Sequence, residues 1–206
     1  MTKIKINEIF WSAQGEGARK GFPSIFVRLT GCSLRCEYCD SKNSWEEGEL
    51  LSEDEIVLKV DGLMKEYPDS QVVFTGGEPL EHKIEGVTEK LKRKSYYLAV
   101  ETSGVFNSEI DFNWWAVSPK DVRDFVIHEE IRNKISELKL IVNSNLNIDR
   151  IKTITTGLEN IPVYLQPQFP DPDRYEKTFE LFQNCIRAGL ENIRIGDQLH
   201  RHYNIR

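Results

Sequence analysis

Chemistry-bearing residues concentrate at one point of the chain, where Cys32, Cys36 and Cys39 stand at the spacing C-x3-C-x2-C. The thiolate is the form of cysteine that ligates metal. Three thiolates can hold three irons of a four-iron cubane and leave the fourth iron without a protein ligand. An iron left open in this way can take an amino–carboxylate chelate and pass it an electron, chemistry that belongs to a cofactor rather than to the chain. A structural zinc site wants four ligands, and no Cys-x2-Cys or His-x3-His pair stands elsewhere. The remaining cysteine, Cys185, lies beside Phe182 and Ile186 on an apolar stripe and reads as a core thiol rather than a fourth ligand. A disulfide framework would spread its cysteines out, and a chain of this length needs no staples.

The elements that must position this cluster read as alternating strands and helices. Apolar, β-branched runs at Ile25–Leu29, Gln71–Phe74, Tyr97–Val100, Trp115–Val117, Leu138–Val142, Val163–Leu165 and Ile193–Ile195 are expected strands. Ser52 with Glu55 suggests a capping box, after which Ile56, Val60, Leu63 and Met64 line one helical face. Ile84, Val87 and Leu91 make a second stripe, and Phe179, Phe182, Ile186 and Leu190 a third. Asp149–Ile154 is a weaker helix, and Lys120–Lys134 is ambiguous. Alternation of this kind predicts a parallel sheet in an α/β fold. With three or four convincing helices it predicts a partial, abbreviated (β/α) barrel rather than a full eightfold one, in a single domain over residues 1–206. Polar residues follow one strand end after another: Thr75-Gly76-Gly77-Glu78, Glu101-Thr102-Ser103-Gly104, Ser118-Pro119-Lys120, Gln166 and Gln198. In barrel-like α/β folds these ends form the active-site rim, so one site assembled from the whole chain is expected.

Bulk properties agree with one soluble globular domain. The 206 residues suffice for one well-buried domain, and 39% are hydrophobic. No apolar stretch reaches membrane-spanning length and MTKIKINEIF is no signal peptide, so a cytoplasmic protein without membrane association is expected. The net charge of −6 argues against nucleic acid as a partner. The basic run Lys90–Lys94 reads as a solvated helix end.

The three-cysteine spacing, with Thr75-Gly76-Gly77-Glu78-Pro79 after a strand, resembles the radical S-adenosylmethionine superfamily. Further motifs narrow the resemblance. Ile9–Gly17 with its Gln14-Gly15-Glu16-Gly17 block, Phe26-Val27-Arg28, Gly31–Ser41, Glu101–Gly104, Ser118–Lys120, Leu165–Pro167 and the ending Gln198-Leu199-His200-Arg201 are similar to the 7-carboxy-7-deazaguanine synthase family, in order and from residue 7 almost to the end. The resemblance implies a lyase that rearranges 6-carboxy-5,6,7,8-tetrahydropterin into 7-carboxy-7-deazaguanine with loss of ammonia, feeding queuosine and related 7-deazapurine pathways. It implies a 4Fe-4S cluster on Cys32, Cys36 and Cys39, S-adenosylmethionine, Mg²⁺ and a homodimer; flavodoxin or ferredoxin would be reasonable electron donors.

Residue by residue, the resemblance places Ala13, Gln14, Gly15, Glu16, Arg28, Thr75 and His200 at the pterin. A carboxylate such as Glu16 suits a guanidine-like edge, and Arg28 suits a carboxylate in bidentate fashion, which lysine would do poorly. Ser41 matches the magnesium-ligating position, where a hydroxyl oxygen suits a hard cation. Tyr38, Cys39, Asp40, Gly77, Ser103, Ser118, Pro119, Lys120, Gln166, Pro167, Gln168 and Phe169 match cofactor contacts. This chain departs from the family in having Ser33 for an asparagine, Ser41 for the commoner threonine and Ala13 for a bulkier aliphatic. Two other readings use the same cysteines: an activase that installs a glycyl radical on a large partner, and a zinc-stabilised binding module without catalysis.

Overall fold

The computed structural model describes residues 3–205. The chain runs β1 (Lys3–Ala13), β2 (Pro23–Leu29), β3 (Glu49–Ser52), α1 (Glu53–Glu66), β4 (Gln71–Gly76), α2 (Glu85–Arg93), β5 (Leu98–Thr102) and β6 (Trp114–Val117). It continues through α3 (Glu129–Arg132), β7 (Glu137–Val142), α4 (Ile148–Thr155), β8 (Val163–Pro167), α5 (Arg174–Arg187), β9 (Ile193–Ile195) and α6 (Leu199–Tyr203). The nine strands form one open sheet in the order β3-β1-β2-β4-β5-β6-β7-β8-β9. From β2 to β9 every pairing is parallel, whereas β1 is antiparallel to both of its neighbours. No helix covers the β5–β6 connection, so the sheet stays an abbreviated barrel.

Alternation along each strand divides the residues between two faces. The outer face carries Ile25, Val27, Val72, Phe74, Leu98, Val100, Leu138, Leu140 and Leu165, all fully or almost fully buried in the main core. Each such Leu, Ile or Phe contributes about 1.5–3 kcal/mol by leaving water. The helices that cover this face follow local rules. Ser52 Oγ accepts from the Glu55 amide at 3.3 Å and Glu55 Oε2 accepts from the Ser52 amide at 2.7 Å, so the expected capping box starts α1, which buries Ile56, Val57 and Val60. In the basic run at the end of α2, Lys90 and Lys92 are half-buried and Arg93 and Lys94 exposed, and the lysines are ion-paired, Lys90 with Glu53 and Asp54, Lys92 with Asp111 and Lys94 with Asp61.

All seven expected strands are present, and three expectations need correction. The stripe on α5 is rotated: Phe179 and Ile186 are 51% and 47% exposed, while Thr178 and Cys185 are buried. Thr178 fits the apolar face because its hydroxyl donates to the Arg174 carbonyl at 2.6 Å, leaving a methyl to pack. The ambiguous stretch after Lys120 holds only a single 3₁₀ turn, Asp121–Arg123, and the four-residue α3. Strands β1 and β3 are not among the expected strands: Lys3, Lys5, Asn7 and Glu8 interrupt the apolar run of β1, and β3 is only four residues long with Glu49 and Leu50 exposed. In addition, a β-bulge between Ile6 and Glu8 shifts the register, so Ile6 faces Leu29 but Glu8 faces Arg28. The bulge moves the even positions of β1 from the outer core (Ile4, Ile6) to the inner face (Phe10), a re-aiming for which bulges are suited.

Candidate active site

The inner face of the sheet changes character over one repeat of the pleat. Phe10, Phe26, Val73 and Ala99 form a small apolar layer. Two residues further along β2, β4 and β5 stand Arg28, Thr75 and Glu101, with Lys139 on β7; these, together with the cysteine loop and α6, line a cavity of about 460 Å³. The apolar layer is the floor, and the polar groups lie above it at the C-terminal ends of the parallel strands.

The cysteine loop forms one wall. Cys36 is buried and Cys32 and Cys39 are half-buried, all three as free thiols. Burial pushes the Cys32 and Cys36 thiols up, Lys120 opposing this at Cys36. The loop is held by backbone bonds to neighbouring turns: Gly31 N–H to Ser44 O at 2.8 Å, Glu78 N–H to Gly31 O at 2.9 Å and Gly77 N–H to Leu29 O at 3.0 Å. Gly77 must be glycine because a Cβ there would collide with the Gly31 backbone. Glu78, 1% exposed, accepts from the Ser103 amide at 2.7 Å and from the Thr102 and Ser103 hydroxyls, binding the β4 end to the β5 end. Tyr38 donates its hydroxyl to Asp121 at 2.6 Å; burial and that bond raise the phenol so that it stays neutral. Among the described residues no group of three or more His, Cys, Asp or Glu could hold a single metal ion. The three cysteines share one loop, and all three line the cavity. A cubane distributes its thiolates over separate irons, which three cysteines on one loop facing a cavity fit.

The opposite wall is charged. Lys139 Nζ, on a side chain only 7% exposed, lies 3.0 Å from Glu16 Oε2 and 2.9 Å from Glu101 Oε1. Glu16 Oε1 also accepts from Gln198 Nε2 at 2.8 Å, and Glu101 Oε2 from the Thr75 hydroxyl at 2.9 Å. Burial would raise both carboxyls, yet the Lys139 charge and these bonds hold them below the usual range. Burial alone would lower Lys139, but the surrounding carboxylates, Glu101 foremost, raise it. Nearby Glu137 is pushed up by burial, although it accepts from the Ala18 amide at 2.6 Å. Between the two walls, Arg28 Nε pairs with Glu8 at 2.9 Å and Arg28 Nη1 donates to Ser41 Oγ at 3.1 Å.

Helix α6 closes over the site. The Leu199 amide donates to Gly15 O at 2.9 Å, His200 lies against Gly15 so closely that a Cβ would not fit, and the Arg201 guanidinium stacks on Phe169 at 3.7 Å. Lys20 lies 3.3 Å from Asp197 and balances the charge that residue brings to the rim, and His202 Nε2 lies 2.7 Å from the same carboxylate.

Every site residue named from the sequence lines this cavity except Pro119 and Gln166. Gln166 is fully buried with no hydrogen-bond partner for its amide, at a point where Gly196 comes so close that a Cβ would strike Gln166 Oε1. Three residues that reasoning from sequence left without a role are Glu78, Glu101 and Lys139. Glu78 and Glu101 lie inside the strand-end motifs Thr75–Glu78 and Glu101–Gly104. Lys139 had a readable signal: like Arg28, it is a cation set between apolar residues of a buried strand.

Comparison with known proteins completes the description. The Radical SAM superfamily model matches residues 26–197. The chain is 30% identical to the 7-carboxy-7-deazaguanine synthase of Aquifex aeolicus, over 100% of this chain and 95% of that one. It is 30% identical to the enzyme of the same name from Escherichia coli K12, over 97% of this chain and 98% of that one. The crystal structure of QueE from Escherichia coli aligns with a TM-score of 0.75 and 28% identity, covering 95% of this chain and 94% of that chain.

Proposed function

The chain belongs to the radical S-adenosylmethionine superfamily and, within it, to the 7-carboxy-7-deazaguanine synthase family, and we propose that it converts 6-carboxy-5,6,7,8-tetrahydropterin to 7-carboxy-7-deazaguanine and ammonia. The observation that carries this reading is the polarity of the cavity. Arg28 offers a bidentate cation near the cysteine loop, and Glu16 and Glu101 offer anionic acceptors across from it. A substrate with a carboxylate at one end and a guanidine-like donor edge at the other matches both.

In this reading Cys32, Cys36 and Cys39 hold the 4Fe-4S cluster, and Gly77, Ser103, Ser118, Lys120 and the Pro167-Gln168-Phe169 segment hold S-adenosylmethionine beside it. When bound, that pair supplies an adenosyl radical able to take the hydrogen atom from C6 of the substrate. Arg28 fixes the carboxylate on C6, Thr75 and the two glutamates fix the ring, and His200 on α6 keeps water out. Contraction of the six-membered ring to a pyrrole with loss of ammonia is redox-neutral overall, so the rearrangement itself consumes no oxidant or reductant, and these residues orient the substrate and shield it. Ser41 and Asp40 offer the oxygen donors that Mg²⁺ favours. The Ser41 hydroxyl now accepts from Arg28, so magnesium would bind once the guanidinium turns to the substrate carboxylate. A homodimer, flavodoxin or ferredoxin as electron donor, and a cytoplasmic location complete the proposal; no helix among the described residues is long and apolar enough to cross a membrane.

The test is anaerobic incubation of iron-reconstituted protein with the tetrahydropterin, S-adenosylmethionine, Mg²⁺ and dithionite, with product read by mass spectrometry. Carboxydeazaguanine is expected, and the yield should fall when Mg²⁺ is omitted. An intact cluster that cleaves S-adenosylmethionine without forming this product would overturn the reading in favour of a glycyl-radical activase.

A further inference from the structure

We propose that Lys139 is a positioning residue for substrate recognition: lodged between Glu16 and Glu101, it holds both carboxylates in place with their free lone pairs turned to the donor edge of the pterin. The inference rests on the function proposed above, and its basis is geometric. Lys139 reaches from β7, Glu101 from β5 and Glu16 from the loop after β1, so three separate elements meet at one ammonium. Without it, two half-buried carboxylates would face each other with no cation between them, an arrangement that one of them would relieve by taking up a proton.

Counting lone pairs shows what the arrangement offers. A carboxylate has about four acceptor sites. Glu16 uses one for Lys139 and one for Gln198. Glu101 uses one each for Lys139, Gln14 and Thr75. That leaves about two sites on Glu16 and one on Glu101 for donors arriving from the cavity. Two carboxylates and one ammonium sum to −1, which attracts a guanidine-like edge without presenting the full repulsion of a bare pair. The other titratable groups around the trio are Glu137 on β7 itself, Asp40 of the cysteine loop, whose charge reaches Glu16, and His200 of α6 against Gly15. Lys139 is thus the cation that sets the ionisation of this wall.

The sign of the pH effect follows. Glu16 and Glu101 are held low, so with Lys139 present both stay anionic from neutral pH down toward the ordinary carboxylate range. With Lys139 removed, burial and mutual repulsion act unopposed and one carboxyl protonates nearer neutrality. The experiment measures binding of the fluorescent analogue 6-carboxypterin to wild type and to Lys139→Met between about pH 5.5 and 7.5, alongside turnover. Wild type should bind almost independently of pH. K139M should bind about tenfold or more weakly at neutral pH and weaken further as the pH falls, with a raised KM and little change in kcat. Iron content should be unchanged.

A lysine with only a structural role would lower the melting temperature yet leave the pH dependence of binding flat, and that result overturns the proposal. If K139M does not fold, K139M/E101Q, which removes one charge of each sign, is compared with E101Q alone. A further loss of affinity that grows toward acid pH supports the inference, and equal binding by the two variants rejects it. Wild type that neither binds the analogue nor turns over removes the proposed function and this inference together. Active wild type matched by K139M at every pH removes the inference alone.

Discussion

The two walls of the cavity are built in opposite ways. The cysteine wall is a loop whose three cysteines lie within eight consecutive residues, fastened by backbone bonds from Gly31 to Ser44 and to the turn at Glu78. The charged wall joins Glu16, Glu101 and Lys139, residues up to 123 positions apart, through the sheet itself. A group that brings its own strong bonds can be held by a local motif, because metal ligation supplies the ordering. Recognition of a polar edge needs acceptors fixed before the ligand arrives, and an ion cluster drawn from β5, β7 and the loop after β1 provides that. The loop is completed by its cofactor, whereas the sheet wall is already formed.

The largest expected effect separates the walls outright. Cys36→Ser should abolish cluster retention and turnover, yet leave 6-carboxypterin binding within about twofold of wild type, because among the described residues no hydrogen bond or ion pair joins Glu16, Glu101 or Lys139 to the three cysteines. Iron analysis and fluorescence titration on one preparation decide it. Parallel loss of analogue binding would mean that the two walls form together, and the contrast drawn above would fail.

The same difference decided what could be read in advance. The cysteine spacing, the glycine pair and the strand-end motifs are local, so they were legible as text, as were seven strands and the α1 capping box. Strand β1 was not, because its bulge changes which face the even positions occupy and charged residues break the apolar pattern. The third helical stripe misled because Phe179 and Ile186 are hydrophobic but point outward, while Thr178 hides its hydroxyl in its own helix. Lys139 illustrates the general limit. A buried lysine has meaning only beside its carboxylates, and parallel crossovers place those far away in sequence.

Arg28 lies between the walls, bonded to Ser41 of the loop and Glu8 of the sheet, so its substitution tests whether they act on one ligand. Arg28→Lys keeps the charge but loses the planar fork that can bind a carboxylate through two parallel bonds. Turnover efficiency, kcat/KM, should fall about 100-fold, equivalent to about 2.7 kcal/mol, while iron content and uncoupled cleavage of S-adenosylmethionine hold near wild type. Unchanged kcat/KM would take Arg28 out of the substrate contact and leave it as an ion pair with Glu8.

The smallest effect concerns the joint between the walls. Glu78 belongs to the glycine-rich turn that supports the cysteine loop, and its carboxylate accepts from the Leu80 amide of that turn as well as from Thr102 and Ser103, one and two residues beyond Glu101. Glu78→Gln places an amide where a buried carboxylate now accepts from the Ser103 amide and two hydroxyls, so at least one donor loses its acceptor. Such a loss costs about 1–3 kcal/mol, and for a chain of this size about 2 kcal/mol lowers the melting temperature by roughly 4–8 °C. Thermal unfolding of the cluster-free protein measures it without interference from iron. If Glu78 only braces the turn, analogue binding should survive in the variant while S-adenosylmethionine binding weakens, because the glycine segment shifts and Glu101 stays fastened to Lys139. If both ligands weaken equally, the joint is one rigid body with the charged wall, and the boundary between loop and sheet lies on the far side of Glu78.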